Sequence, residues 1–135
     1  MIKETIHSHI TACLEGLGFS ADKEFTVEIP NNTDHGDYST NCAMILAKSN
    51  KMAPKILAEA LSKDVKKNKD YKKVEIAGPG FINFYLSPAM YQKAFWDIYK
   101  SELTYGQSDF GKEEKVLLEF VSANPTGPLN IVSAR

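Results

Sequence analysis

The chain has 135 residues and a mass of 15.0 kDa, with 43% hydrophobic and 24% charged residues. This composition is typical of a globular protein with one domain or slightly more. Sixteen basic and seventeen acidic residues give a formal charge of −1, so the total charge carries no signature of nucleic-acid or membrane binding. No apolar run approaches the roughly 18 residues of a membrane span, and the first residues do not form a signal peptide, so we expect a cytoplasmic protein.

The two cysteines, Cys13 and Cys42, lie far apart, and neither has a second ligand at the spacing of a metal site. We expect reduced thiols packed in the core and no metal site.

Helical periodicity predicts four helices. Apolar residues recur at three- and four-residue steps from Ile2, and a glycine at position 16 ends the pattern. The same spacing over residues 37–48 predicts a second helix, and Pro54 opens a third. A fourth helix begins after Ser87, which is a suitable cap, and fades near residue 103 with a long apolar side.

Alternating and continuous apolar runs predict the strands. Residues 25–29 alternate in the pattern of a half-buried strand, and residues 74–76 and 81–86 form two short strands joined by the tight turn Ala-Gly-Pro-Gly. These elements predict an α+β fold, a small antiparallel sheet of three to four strands packed against about four helices. After a polar linker, the apolar run at 116–121 is typical of a strand buried in a parallel sheet.

Residues 63–73 contain six lysines and two aspartates, a net charge of +4 in a chain that is otherwise acidic. Such a run is either a solvated helix end or a patch that contacts phosphates. The lysines that could serve a phosphate-contacting patch are Lys66, Lys67, Lys69, Lys72 and Lys73.

The most specific string covers residues 118–129, Leu-Glu-Phe-Val-Ser-Ala-Asn-Pro-Thr-Gly-Pro-Leu, and is followed by Ala-Arg at 134–135. It closely resembles the first catalytic motif of arginyl-tRNA synthetases, class I enzymes whose catalytic domain is a Rossmann fold. Two upstream strings are similar to segments of that family in the same order: His-Gly-Asp-Tyr-Ser-Thr-Asn at 35–41 and Val-Glu-Ile-Ala-Gly-Pro-Gly-Phe-Ile-Asn-Phe at 74–84. Three ordered motifs at matching separations make a chance likeness very improbable.

The resemblance implies that residues 1–110 form the family's N-terminal domain, which contacts the D-loop of tRNA, and that residues 111–135 are the truncated start of the catalytic domain. It assigns contact with an exposed D-loop base to Phe81 and Asn83. RNA specificity is commonly read by an aromatic platform and a hydrogen-bonding side chain on unstacked loop bases, and alternation puts these two residues on one strand face. The purely structural alternative is that Phe81 belongs to the core and Asn83 is a polar residue next to a turn. Tyr85, on the same face, is a weaker third candidate for contact with the base.

His35 and Asp37 could suggest a catalytic pair, but a loop with a helix cap is the simpler interpretation.

The sequence departs from the family at the catalytic signature. Where the family has His-Ile/Val-Gly-His, this chain has Asn130, Ile131, Val132 and Ser133, which can neither carry the positive charge of an imidazole nor leave the backbone bare for adenine. Ser122 and Asn124 match positions that line the arginine pocket. We therefore expect a parent enzyme that uses Mg-ATP to attach arginine to its tRNA, and a chain that alone binds no cofactor and is inactive.

The leading interpretation is a fragment of arginyl-tRNA synthetase that retains tRNA recognition. A free-standing pseudo-synthetase or protein-interaction domain is the main alternative, and an altered reading frame at the end of a domain without an independent role is a third. A strand at 116–121 without neighbours would be an exposed apolar edge, which could pair with a second copy, pack back or stay disordered.

Overall fold

The computed structural model describes residues 2–108, 110–111, 113–119 and 127. The chain divides into two compact units, residues 1–103 and 104–135. Four helices and four strands alternate along the described chain: α1 Ile2–Gly16, β1 Val27–Glu28, β2 Tyr38–Thr40, α2 Cys42–Leu46, α3 Pro54–Val65, β3 Tyr71–Ala77, β4 Phe81–Leu86 and α4 Pro88–Ser101. Two single 3-10 turns, Thr33–His35 and Glu102–Thr104, complete the list. The predicted α+β fold is confirmed, whereas a domain boundary near residue 110 stays a prediction.

The four strands form one antiparallel sheet in the order β1-β2-β4-β3. Strand β4 is central, and alternate residues of it point to opposite faces. Ile82, Phe84 and Leu86 are buried in the core with the helices, beside Ile6, Ile10 and Leu14 of α1 and Leu57 and Leu61 of α3. The intervening residues of β4 lie on the other face, which carries the candidate site.

The prediction of one helix over residues 37–48 is wrong in its first part. Residues Tyr38–Thr40 form strand β2, and helix α2 begins only at Cys42. The reason is tertiary: β2 pairs with the central strand β4 along its whole length, and the Thr40 hydroxyl, buried beneath the sheet, donates a hydrogen bond to the Thr26 carbonyl at 2.7 Å. Pairing with β4 outweighs the local helical periodicity.

The predicted hairpin is confirmed, although β3 starts earlier than expected, at Tyr71. Gly80 in its turn has φ +143°, and a Cβ there would lie 3.1 Å from Cβ of Pro54, the first residue of α3. The turn therefore packs tightly on the helix start, and glycine is the residue that permits it.

Helix α4 forms as predicted, with the Ser87 hydroxyl accepting a hydrogen bond from the Met90 N–H at 3.3 Å. Its apolar side is largely exposed, and Met90 is the one buried residue of the helix. Five large apolar side chains are more than two-fifths exposed: Tyr91, Phe95, Trp96, Ile98 and Tyr99. None of the helices in the described ranges is long and apolar enough to cross a membrane.

The strand predicted at 116–121 is not seen in its described part: residues 114–119 have no regular secondary structure. A parallel strand needs hydrogen-bonded neighbours, and among the residues that the structure describes only β1 to β4 pair as strands. Val116, Leu117 and Leu118 are exposed, and self-association through this segment stays a prediction.

Candidate nucleic-acid interface

A cleft of about 450 Å³ opens on the sheet face that the helices leave free. Its floor comes from β2 and β4, one wall from the segment that follows β1, and the other from the turn between β3 and β4. The lining includes Glu28, Asn31, His35, Ser39, Phe81 and Asn83. The cleft lies within the first compact unit, and it has the size of an ordinary small-ligand site.

Phe81 is the first residue of β4 and lies opposite Ala77 of β3 at the rim of the cleft. Its side chain is 39% exposed and does not belong to the buried core cluster. Large aromatic side chains are usually buried, so this ring forms an apolar surface that a planar ligand could cover.

Asn83 lies at the centre of the sheet, opposite Ser39 of β2 on one side and Glu75 of β3 on the other. Only 4% of the residue is exposed. The Ser39 hydroxyl donates a hydrogen bond to Asn83 Oδ1 at 2.8 Å. Asn83 Nδ2 bonds no acceptor in the part of the chain described. This nitrogen is also not among the fully buried polar atoms that lack a hydrogen-bond partner. Since Asn83 lines the cleft, the nitrogen is open to the cleft.

Titratable groups in the cleft lining are few. Among the described residues, Glu28 and His35 are the two ionisable side chains that line it, both exposed, and none of the described lysines does so. A phosphate would meet the Glu28 carboxylate there. The cleft therefore suits an uncharged ligand with one flat face and one polar edge.

Tyr85 follows on the same face of β4, but its hydroxyl is engaged. It donates to the Asp34 carbonyl at 2.6 Å, and Lys73 Nζ lies 4.9 Å from the centre of its ring. Lys73 also pairs with Glu75 at 2.7 Å, and this hydrogen bond raises the pKa of Lys73 and lowers that of Glu75. Tyr85 ties the loop before β2 to the sheet and does not line the cleft.

The remaining lysines lie away from the cleft. Lys66 and Lys67 follow the end of α3, and Lys67 forms an ion pair with Asp64 that raises the pKa of the lysine. Lys69 is exposed in the connection to β3, and Lys72 is exposed on β3 itself, which is an edge strand. The structure thus brings Lys73 onto the face of Phe81, whereas Lys66 and Lys72 line a separate depression at the edge strand β3.

The stretch that contains His35 and Asp37 is a loop with a capped 3-10 turn, and it leads into strand β2 and not directly into a helix. Asp37 accepts a hydrogen bond from the Leu86 N–H at 2.8 Å, and its own N–H donates to the Phe84 carbonyl at 2.8 Å. Asn32 supplies the cap of the adjoining 3-10 turn by accepting from the Asp34 N–H. This stretch clamps the cleft wall onto β4, with His35 facing the cleft.

The family profile described as "Arginyl tRNA synthetase N terminal domain" matches residues 4–86. The chain belongs to this family of arginyl-tRNA synthetase N-terminal domains. The arginine-tRNA ligase of Listeria monocytogenes serotype 4a is 51% identical over 121 residues, which are 89% of this chain and 22% of that protein. The ligase of Lawsonia intracellularis is 40% identical over 132 residues, 94% of this chain and 24% of that protein. The chain therefore spans less than a quarter of the length of these relatives.

Two solved structures share the fold. The arginyl-tRNA synthetase of Plasmodium falciparum superposes with a TM-score of 0.61 at 16% identity, over 73% of this chain and 18% of that one. The Thermus thermophilus enzyme gives a TM-score of 0.56 at 21% identity, over 70% of this chain and 16% of that one.

Sequence reasoning missed one residue that matters in this arginyl-tRNA synthetase N-terminal domain. Ser39, which bonds Asn83, falls inside the segment predicted as a helix. The signal that could have found it is the Tyr-Ser-Thr run, since Tyr38 and Thr40, which flank Ser39, are residue types enriched in strands.

The predicted arginine-pocket residues Ser122 and Asn124 lie outside the described residues, as do the altered signature residues Asn130, Ile131, Val132 and Ser133. Their roles stay predictions.

Proposed function

We propose that the cleft binds one unstacked base of a tRNA, with Phe81 stacking on the base and Asn83 bonding its edge. The observation that carries this proposal is the pairing of a 39% exposed aromatic ring with a nearly buried amide whose nitrogen opens onto the same cleft. Protein contacts to single-stranded RNA loops use this combination of stacking and edge hydrogen bonding. Membership of the family, together with the D-loop role that the resemblance assigns to these two residues, supports the D-loop of tRNA as the source of the base.

The charge distribution supports a base in the cleft and phosphates beside it. The cleft lining includes a carboxylate and no lysine, whereas Lys66, Lys69 and Lys72 are exposed on the neighbouring edge of the domain. Phosphate contacts fix the position of a nucleic acid and base contacts supply specificity. A tRNA whose backbone follows the lysines while one base enters the cleft would satisfy both sets of groups.

The reaction to which this domain contributes is, on this proposal, the ATP-dependent attachment of arginine to tRNA. The relatives are named arginine-tRNA ligases, and this chain covers less than a quarter of their length. Mg-ATP would be bound by parts of such an enzyme that correspond to the rest of that length. We expect the 135-residue chain alone to catalyse no arginine-dependent pyrophosphate exchange, and detection of that exchange would contradict the expectation.

The test is a comparison of two phenylalanine variants in binding to an arginine-specific tRNA, measured by fluorescence anisotropy. Phe81→Ala removes the rim of the cleft, whereas Phe95→Ala removes a ring that is 61% exposed on α4 and lies outside the cleft. Loss of one base stack costs about 1–3 kcal/mol, so we expect Phe81→Ala to weaken binding about five- to 150-fold. Phe95→Ala should bind as the unaltered chain does.

A salt titration separates the two kinds of contact. Phe81→Ala should lower the affinity without changing the slope of log K against log salt, since it removes no charge. Lys72→Ala should reduce that slope by about 0.7–0.9, the value for one phosphate contact. Equal binding by Phe81→Ala and the unaltered chain at every salt concentration would contradict the proposed site.

A further inference from the structure

The hydrogen bond between Ser39 and Asn83 determines which end of the amide faces the cleft. The two residues are direct partners in the pairing of β2 with β4, and the Ser39 hydroxyl donates to Asn83 Oδ1 at 2.8 Å. An asparagine amide carries an acceptor oxygen on one side and a donor nitrogen on the other. With the oxygen turned towards Ser39, the nitrogen is the atom that opens onto the cleft.

The other neighbour of Asn83 does not compete for that nitrogen. Glu75 lies opposite Asn83 on β3, but its carboxylate is held by Lys73 at 2.7 Å. Turning the amide over would make the Ser39 hydroxyl an acceptor from Nδ2, and the hydroxyl proton would lose Asn83 Oδ1, the one acceptor that it has within the described residues. Such a loss is costly at a half-buried position.

We infer that Ser39 is a positioning residue that holds Asn83 as a hydrogen-bond donor, and that the base in the cleft is recognised through an acceptor atom on its edge. This inference rests on the proposed function and adds the class of base edge that the site takes. An amino group at the same place would set two donors face to face and leave both unsatisfied. Stacking on Phe81 does not distinguish bases in this way, because every base has a π-face.

Adenine is the informative probe because it carries both ring-nitrogen acceptors and an amino donor. The RNA is an arginine-specific tRNA joined from synthetic halves, with adenine at the exposed D-loop position. Deaza-adenines remove one ring acceptor at a time at N1, N3 or N7, and purine removes only the amino group. We expect one of the deaza-adenines to weaken binding at least about fivefold and purine to bind within about twofold of adenine.

Two variants of Ser39 connect this preference to the hydroxyl. In Ser39→Ala the amide is free to turn over and present its oxygen, so purine should now bind more weakly than adenine and the deaza-adenine penalty should shrink towards onefold. Ser39→Thr keeps a hydroxyl and should keep the original preference. Ser49→Ala is the matched control, since it removes a serine hydroxyl that donates to Asp22 at 2.9 Å outside the cleft.

The ratio between probes is the decisive readout, because a merely structural loss in Ser39→Ala would weaken all probes equally. Far-UV circular dichroism melts of each variant establish that it is folded. An unchanged ratio in Ser39→Ala would overturn the inference while leaving the proposed base site intact. A penalty for purine and none for any deaza-adenine in the unaltered chain would also overturn it.

A measurement without RNA separates this inference from the proposed function. In the free protein, nuclear Overhauser contacts from the Asn83 side-chain amide protons to the Ser39 β-protons should be weak, because Nδ2 points away from Ser39. Strong contacts would show the opposite orientation and overturn the inference whatever the RNA data. If instead Phe81→Ala binds tRNA normally, the proposed function fails, and the base-edge inference fails with it.

Discussion

Gly36 joins the cleft wall to strand β2, and replacing it by alanine should destabilise the domain strongly. Its backbone has φ 87° and ψ −171°, a combination that only glycine adopts readily. A Cβ at this position would lie 2.6 Å from the Phe84 carbonyl oxygen and 3.1 Å from its carbon, both of them backbone atoms of the central strand. The strand cannot move aside without disturbing the sheet.

The expected loss of folding free energy in Gly36→Ala has two parts. Backbone strain of this kind costs about 1–3 kcal/mol, and forcing an atom into filled space costs about 1–3 kcal/mol more. A loss of about 2–6 kcal/mol is a large fraction of the roughly 5–15 kcal/mol that stabilises an ordinary domain. The wall that Gly36 anchors includes Asn31 and His35, so we also expect weaker tRNA binding at temperatures where the variant is folded.

Urea unfolding followed by far-UV circular dichroism measures the loss, with Gly16→Ala as the control. Gly16 ends α1 at a φ outside the left-handed region, and a Cβ there would meet nothing within 4 Å. Gly16→Ala should therefore be neutral or stabilise the fold by up to about 1 kcal/mol. If Gly36→Ala unfolds within about 0.5 kcal/mol of the unaltered chain, the reasoning about this loop is refuted.

Three further predictions concern the core and the loop clamp. Burial raises the pKa of the Cys42 thiol from 9.0 to about 11. Because the folded pKa is above the unfolded one, the contribution of the protonated thiol to the unfolding free energy is complete below pH 9 and is lost as the pH rises towards 11. Cys42→Ala should therefore make the decline of the unfolding free energy at alkaline pH shallower. Asp37→Ala removes the acceptor of the Leu86 N–H and should lower the free energy of unfolding in urea by about 1.5–3 kcal/mol. Asp37→Asn, which keeps an acceptor oxygen, should lower it by less than half of that, and equal losses in the two variants would contradict the role of this hydrogen bond. Tyr71→Phe removes the 2.7 Å hydrogen bond to His9 Nδ1 while keeping the ring, and should cost about 0.5–1.5 kcal/mol in a thermal melt.

Elements whose signals are local were predictable from the sequence. Helix α1 follows from apolar spacing and a terminal glycine, α3 from a proline at its first position, and the β3–β4 hairpin from the Gly-Pro-Gly turn. Each of these elements depends on residues that are close to one another in the sequence. The periodicity of α4 was equally local, but it could not reveal that most of that apolar face is left exposed, because coverage depends on what packs against a helix.

The candidate site divides in the same way. The Gly-Phe-Ile-Asn string identified Phe81 and Asn83, and strand alternation placed them on one face, as the structure has it. Strand β2 was misassigned because its extended state depends on pairing with β4, 44 residues further along the chain at Ser39 and Asn83. Periodicity reports the local preference of the chain, whereas that pairing is a long-range contact.

By itself, the sequence determined the α+β class and the hairpin, because short motifs and local spacing carry that information, and its resemblance to the family made Phe81 and Asn83 the candidates for contact with a base. Only the tertiary structure decided that none of the described lysines lines the cleft and that the Ser39 hydroxyl bonds the Asn83 amide oxygen across the sheet. The physical reason is that the direction of a hydrogen bond across a sheet is a property of two strands in register.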